Sequence, residues 1–182
     1  MTTPKAKLAG LALIAALCVG FISGLTAPAR AGLDEGVAAY IRGDYATAIR
    51  EWRPLAKQGN AKAQFNLGRM YRFGWGVPQD NAKAAEWYRK AAEQGYAKAQ
   101  FKLGFMYDDG LGVPQDYVQA HMWFTLSLLD SPPGEHKHTG DYRHMSVESR
   151  HMSVKSRDII AKMMTPAQIS EAQKLAREWK AK

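Results

Sequence analysis

Two stretches of this chain of 182 residues, "LGRMYRFGWGVPQD" at 67–80 and "LGFMYDDGLGVPQD" at 103–116, repeat nearly the same sequence 36 positions apart. Over the longer window 59–80, 16 of 22 residues recur at that offset. A weaker copy at 33–59 keeps the same period. Because a fixed period of about 20 to 50 residues is typical of stacked structural repeats, the sequence predicts a solenoid of three units.

Each unit is predicted to be a pair of helices. Asp80 is placed to cap the second helix of the middle unit, and Gly95 is placed to end it in a left-handed conformation. The pattern therefore predicts an all-α fold, a right-handed α-solenoid of antiparallel helix pairs. Small and aromatic residues recur in this helix at i, i+3, i+4, i+7 and i+8, which is one helical face: Ala84, Trp87, Tyr88, Ala91 and Ala92.

Glycine has a structural role in both strong units. Gly68 and Gly104 fall inside predicted helices, where glycine costs about 1 kcal/mol relative to alanine. We therefore expect the paired helix, with its alanine-rich face, to approach closely there. In the "GWGVPQD" loop, glycines can adopt positive φ and proline restricts the preceding residue, which predicts a stiff connector that fixes the angle between the paired helices. The residues assigned to the scaffold are Leu67, Gly68, Tyr71, Gly74, Gly76, Pro78, Trp87, Leu103, Gly104, Tyr107, Gly110, Gly112, Pro114 and Trp123.

The pattern "AxxxLGxMYxxGxGVPQDxxxAxxWxxxAAEQG", from Ala63 to Gly95, resembles the Sel1-like repeat, a 36-residue relative of the tetratricopeptide repeat. Units 60–95 and 96–130 match strongly. Unit 33–59 departs from the pattern because "YIRGDYATA" replaces the glycine-rich loop with a tight turn. The resemblance implies a protein-interaction scaffold of the exported bacterial type, which binds a protein or peptide on its concave face.

Residues 1–31 have the layout of a secretory signal peptide. Lys5 and Lys7 precede an apolar run, and "ARA" ending at Ala31 offers small residues at a cleavage site. The sequence therefore predicts cleavage after Ala31 and a periplasmic or secreted protein. Association with a membrane is expected only if this segment stays uncleaved, since its apolar run is long enough for a marginal transmembrane helix.

The cysteine count and the net charge make several kinds of site and partner less favoured. The only cysteine, Cys18, lies in the predicted signal, so the mature chain would contain no disulfide and no cysteine-bound metal. Removal of Lys5, Lys7 and Arg30 lowers the formal charge from +8 to +5, and the remaining charges are interspersed. This mild excess favours solubility or loose attraction to anionic envelope polymers, and no nucleic-acid partner is predicted.

Beyond the repeats, "SPPGEHKHTGD" predicts a linker at 131–140, followed by capping helices at 141–182. A heptad is duplicated in "RHMSVESR" followed by "HMSVKSR", with one change of glutamate to lysine. Residues seven apart in a helix lie on nearly the same face, so the duplication preserves the face. We expect a helix from about Asp141 to Met163 that projects past the solenoid or frays. A last helix over 163–179 carries the signature of a capping box, with Thr165 as N-cap, Pro166 at the first position and Gln168.

The inner helices supply the candidate partner site. Residues that change between the strong units, such as Asn66 to Lys102 and Arg69 to Phe105, lie mainly on one helical face. Such a face is either an interaction groove or an unconstrained solvated surface. An aromatic residue in each unit favours the groove. The predicted partner-binding residues are Asn66, Arg69, Arg72, Phe73, Trp75, Lys102, Phe105, Asp108 and Asp109.

Other functional classes are less supported by the residues. The repeats contain no nucleophile elbow, Ser/His/Asp order or paired-carboxylate motif, so no enzyme, cofactor or small-molecule substrate is predicted. An envelope hydrolase or cell-wall-modifying protein remains one alternative. A metal-responsive protein is the other, since imidazole suits zinc, copper or nickel. All five histidines fall within one stretch of the chain: His121, His136, His138, His144 and His151.

Overall fold

A computed structural model describes residues 27–129 and 146–180 of the chain. This part folds into helices and contains no strand. None of its helices combines the length and the apolar character needed to cross a bilayer. The helices are α1 (Ala27–Ile41), α2 (Tyr45–Lys57), α3 (Ala61–Phe73), α4 (Asn81–Ala92), α5 (Ala97–Asp109), α6 (Tyr117–Leu129), α7 (Val147–Ala161) and α8 (Pro166–Lys180).

Consecutive helices pack as three pairs: α1 with α2, α3 with α4, and α5 with α6. Each pair also contacts the next, because α2 packs on α3 and α4 packs on α5. This arrangement confirms the predicted all-α solenoid of helix pairs. The first pair begins at Ala27, before the start of the predicted unit 33–59.

Capping side chains explain where α2, α3 and α4 begin. Asp44 and Asn60 accept hydrogen bonds from the backbone N–H groups of Thr47 (3.1 Å) and Ala63 (2.9 Å). Asp80 accepts one from the N–H of Lys83 at 2.9 Å, so its predicted capping role is confirmed. Each bond satisfies a backbone donor that the first helical turn leaves without a partner.

The mid-helix glycines do mark close helix approach, but not against alanine. A Cβ atom at Gly68 would lie 2.6 Å from Cδ1 and Cε1 of Tyr88, and one at Gly104 would lie 2.9 Å from the same ring atoms of Phe124. The expected close approach of the paired helix is therefore confirmed. Alanines share the face, but an aromatic ring one helix away occupies the space above each glycine.

The second loop glycine has a further role in stacking the units. Gly112 has φ +72, and a Cβ atom there would lie 2.2 Å from the backbone carbonyl carbon of Asn81. Gly76, one repeat earlier, makes the equivalent approach to the backbone of Tyr45, whose Cβ would be 2.8 Å away. These glycines therefore set the spacing between one helix pair and the preceding pair as well as the connector within a pair.

A repeated amide contact also joins neighbouring units. The Nε2 atom of Gln64 donates to the backbone oxygen of Ala56 at 3.0 Å, and that of Gln100 donates to the oxygen of Ala92 at 3.2 Å. Both glutamines are buried. Each one adds a second donor to a carbonyl in the last turn of the preceding outer helix, which also accepts from the backbone N–H of Gly59 or Gly95.

Helices α7 and α8 both pack on α6. The described helix starts at Val147 with Ser146 as N-cap, and the expectation that it projects or frays is wrong for this part. Ser153 and Ile160 are buried, and the hydroxyl of Ser153 lies 3.0 Å from that of Ser127. The predicted linker 131–140 and the proposed helix start at 141–145 lie outside the described residues.

The last helix begins as the sequence indicates. The backbone N–H of Thr165 donates to Oε1 of Gln168 at 2.8 Å, and the N–H of Gln168 donates to Oγ1 of Thr165 at 3.3 Å. This reciprocal pair is the predicted capping box. At the other end of α8, Trp179 packs edge-on against Trp123 with 5.0 Å between ring centroids, which fixes the helix to the last repeat.

Candidate functional site

A cleft of about 490 Å³ lies between the inner helices of the last two units and the first C-terminal helix. Side chains from α3, α5 and α7 line it, together with Tyr88 of α4 and Leu111 of the loop that follows α5. The remaining residues that line it are Arg72 and Phe73 from α3, Phe101, Lys102, Phe105, Met106 and Asp109 from α5, and Glu148, Ser149 and Met152 from α7.

Five of the nine residues predicted to bind a partner line this cleft together: Arg72, Phe73, Lys102, Phe105 and Asp109. Helical spacing explains why α5 contributes most of them. Residues 98, 102, 105 and 109 follow one another at i, i+4, i+7 and i+11, so they form one stripe. Their role in binding remains a prediction.

Asn66 has a different environment from its repeat partner Lys102. Only 7% of Asn66 is exposed, whereas Lys102 is exposed. A short amide can be buried where a lysine extends its long stem to bring the ammonium group to solvent. The structure therefore places Asn66 in the packed interior, and it offers little surface to a partner.

Arg69 and Trp75 belong to an aromatic group beside the cleft. Nη2 of Arg69 donates to the hydroxyl of Tyr40 at 2.8 Å, and its guanidinium lies over the rings of Tyr40 (5.0 Å) and Trp75 (5.6 Å). Trp75 in turn stacks on Tyr45 and Phe73. These contacts link the inner helix of the second unit to the first unit.

The two aromatic residues that suggested a groove differ in exposure. Phe73 is 50% exposed and stacks on Trp75 with 4.7 Å between centroids. Phe105 is partly buried and meets Phe101 and Phe124 edge-on at 4.8 and 5.1 Å. Phe105 therefore contributes to the core as well as to the cleft, and replacing it would alter stability along with any binding.

Charge is unevenly distributed around the cleft. Lys102 is exposed as a whole residue, but its neighbours shield its ammonium group from part of the solvent, and this partial desolvation lowers its pKa below the ordinary value. The positive charges of Arg69 and Arg72 lower it further. At the end of α5, burial and then the neighbouring Asp109 raise the pKa of Asp108. The site therefore combines cations that repel one another with carboxylates.

We expect the substitution Lys102→Met to leave the free energy of unfolding at pH 7 unchanged or to raise it by roughly 0.5 kcal/mol, after allowance for the solvent that screens this exposed group. Methionine keeps the apolar stem and removes a charge that Arg69 and Arg72 repel. Urea denaturation followed by tryptophan fluorescence measures the change.

The lowered pKa also predicts how the stability difference between Lys102→Met and the wild type changes with pH. A lowered lysine pKa disfavours the native state below that pKa, and the penalty disappears as pH rises through it toward the ordinary value of 10.5. The advantage of Lys102→Met should therefore shrink as the pH is raised from 7 to 10. Lys57→Met, at an exposed position on α2, is the control. A loss of more than about 1 kcal/mol in Lys102→Met would contradict the charge argument.

Residues of the duplicated heptad were not predicted to belong to the site. Glu148, Ser149 and Met152 line the cleft, and Met152 is 47% exposed. The duplication itself was a visible signal, since it preserves one helical face, but the pattern alone does not say which face meets the repeats. The packing of α7 on α6 provides that information.

The histidines do not converge in the described part of the chain. His121 is buried in α6, where burial and then the charge of Arg157 lower its pKa, whereas His151 is exposed. His136, His138 and His144 lie outside the described residues. Within 27–129 and 146–180, no group of three or more His, Cys, Asp or Glu side chains is arranged to hold a metal ion.

Comparison with known proteins identifies the repeats. Residues 61–96 and 97–128 each match the Sel1 repeat. No curated protein sequence matches the chain. The structure is similar to that of c5321, described as a protective antigen of uropathogenic Escherichia coli strains displaying an SLR fold, with 34% identity, a TM-score of 0.67 and coverage of 83% of this chain and 29% of that one.

It is also similar to a Sel1 repeat protein from Oxalobacter formigenes, with 35% identity, a TM-score of 0.53 and coverage of 57% of this chain and 43% of the other. The chain thus spans less than half the length of both proteins. Proteins with this fold are generally scaffolds for protein–protein interaction. With two matched repeats, helix-pair stacking and these structural relatives, the chain belongs to the Sel1-like repeat family.

Proposed function

We propose that this protein is a non-enzymatic adaptor of the bacterial cell envelope that binds a protein or peptide partner in the cleft between α3, α5 and α7. The observation that carries the proposal is the composition of the cleft, where half-exposed apolar side chains and charged groups from three helices face a single volume of about 490 Å³. The signal-like segment at 1–31 supports the envelope location.

The physical basis is the combination of Phe73 from α3 and Met152 from α7. Phe73 is 50% and Met152 47% exposed, and both line the cleft together with the buried side chains of Tyr88 and Met106. Exposed apolar surface that several elements bring to one concavity is typical of a binding site, and aromatic anchors contribute most of the affinity of such sites. A partner that buries both residues would remove apolar area from water on both helices at once.

The test is affinity capture from an envelope extract with the wild-type chain and the variant Phe73→Gln/Met152→Gln. These half-exposed positions are chosen because the four-residue variant suggested by sequence, with Arg69, Phe73, Lys102 and Phe105 replaced by alanine, would also disturb core contacts of Phe105 and Arg69. We expect one protein to be retained by the wild type and lost by the variant, with at least a roughly tenfold lower affinity for the purified partner.

Ile41→Gln/Met163→Gln provides the matched control. It removes two apolar side chains that are 76% and 53% exposed and do not line the cleft. The control should retain the partner as the wild type does, and thermal denaturation should give similar transitions for all three proteins. Equal retention by the cleft variant, or no specific retention by any of the proteins, would contradict the proposal.

A further inference from the structure

Five cations of the inner helices form one electrostatic cluster. Lys98 and Lys102 lie one turn apart on α5, and the charge of Arg69 acts on both of them. Arg72 acts on Lys102, and Lys98 acts on Lys62. Burial is the first cause, and these neighbouring charges the second, of the lowered pKa values of Lys98 and Lys102.

Four of these cations lack a carboxylate partner among the described residues: Arg69, Arg72, Lys98 and Lys102. Arg69 donates to a tyrosine hydroxyl, and Nη1 of Arg72 donates to Oδ1 of Asn81 at 3.3 Å, so both arginines are held by neutral groups. Folding gains no stability from placing these like charges together. Two of them, Arg72 and Lys102, line the cleft. Like charges that no carboxylate neutralises attract a ligand group of the opposite sign.

The arginines are also fixed in position. The guanidinium of Arg69 lies over Tyr40 and Trp75, and that of Arg72 lies over Phe73 at 5.7 Å. Stacking on an aromatic face leaves the edge of a guanidinium able to donate two parallel hydrogen bonds to a carboxylate. The half-exposed ring of Phe73 therefore adjoins both a cation and the apolar part of the cleft.

The cleft also contains carboxylates. Asp109 ends α5, seven residues beyond Lys102, and Glu148 lies in the first turn of α7. These carboxylates repel an anionic group, so they favour its placement beside the cations that no carboxylate neutralises. The apolar residues Phe73, Phe105 and Met152 line the same cleft.

We propose, on the basis of the function proposed above, that the partner presents an acidic peptide segment with at least one large apolar side chain. Its carboxylates would contact Lys98, Lys102 and Arg72, and its apolar side chain would insert between Phe73, Phe105 and Met152.

The experiment is a selection of random dodecapeptides displayed on phage, with the purified chain as bait. The comparison bait is Lys98→Glu/Lys102→Glu, and the matched control is Lys57→Glu/Lys162→Glu, which reverses two exposed lysines outside the cleft. We expect the wild type and the control to enrich peptides that combine Asp or Glu with an aromatic or aliphatic residue. The comparison bait should not enrich them.

The effect of each substitution on affinity is then measured with a synthetic copy of the enriched peptide. Fluorescence anisotropy should show at least a roughly tenfold weaker affinity for Lys98→Glu/Lys102→Glu and for Phe73→Gln/Met152→Gln, and weaker binding as salt increases. The control should stay within about twofold of the wild type. Thermal denaturation should show that the reversed lysines do not lower stability, because the substitution relieves repulsion.

Three outcomes would overturn the inference. Enrichment of neutral or basic peptides that still depend on Phe73 and Met152 would overturn the acidic partner and leave the adaptor function intact. Enrichment of no peptide by the wild type would overturn both proposals. Binding to phosphatidylglycerol vesicles that depends on the lysines but not on Phe73 or Met152, in place of peptide binding, would show a surface for anionic lipid.

Discussion

Gly112→Ala is expected to lower the free energy of unfolding by roughly 3 to 4 kcal/mol, one of the largest effects of any conservative substitution in this chain. Two penalties add at this position. A side chain at φ +72 is strained, and the new Cβ would lie 2.2 Å from the carbonyl carbon of Asn81 and 2.5 Å from the nitrogen of Ala82. Backbone cannot rotate away as a side chain can, so the last two units would have to separate.

The neighbouring loop glycine supplies the control. Gly110 has φ +67, but a Cβ there would have no heavy atom closer than 3.5 Å. Gly110→Ala should therefore show the conformational penalty alone, roughly 1 to 2 kcal/mol. Urea denaturation followed by circular dichroism measures both. Equal losses in the two variants would show that contact between consecutive units does not depend on Gly112.

Gly36→Ala and Gly32→Ala, one helical turn apart on α1, are expected to change stability in opposite directions. A Cβ at Gly36 would lie 2.3 Å from Nε1 of Trp52, which is only 2% exposed and donates to the carbonyl of Leu33. The ring has no free space to move into, so we expect a loss of roughly 2 to 3 kcal/mol.

At Gly32 the nearest atoms would be 3.6 and 3.7 Å away, an ordinary contact. In the full-length chain, where α1 starts at Ala27 and Gly32 lies inside it, the higher helix propensity of alanine should then stabilise the fold by roughly 0.5 to 1 kcal/mol. Thermal and urea denaturation of both variants show whether each substitution raises or lowers the free energy of unfolding. A gain in stability for Gly36→Ala would mean that Trp52 can move and that α1 and α2 do not pack as closely as described.

The fold was predictable from the repeat, because each unit contains the residues that start and end its own helices. Asp80 caps a helix and Gly74 turns the chain, and both are local events that a sequence of a few residues determines. The partner of Gly68 was not predictable in the same way. The facing helix presents several alanines and one tyrosine, and only the crossing geometry places the ring of Tyr88 over the glycine.

The candidate site was predictable only in part. Comparison of equivalent positions led to Phe73 and Lys102, because both units use the same inner face. The third wall of the cleft comes from α7, which belongs to no repeat, and its docking depends on long-range contacts such as that between Ser127 and Ser153. Sequence comparison at a period of 36 contains no information about that contact. The burial of Asn66 was not predicted. The sequence shows only that asparagine stands where the next unit has Lys102, and this difference does not reveal whether the amide is buried or exposed.

The position of α7 limits the number of clefts of this kind that the chain can form. Met152 and its neighbours can face only the last two units, because α7 packs on α6 at the end of the array. Additional repeats inserted before α1 would lengthen the solenoid and create new inner surface, but they would not create a second cleft with three walls. Under the proposed function, a chain built in this way engages one partner at this site whatever its length. Bridging two partners through such clefts would require two copies of the C-terminal helices.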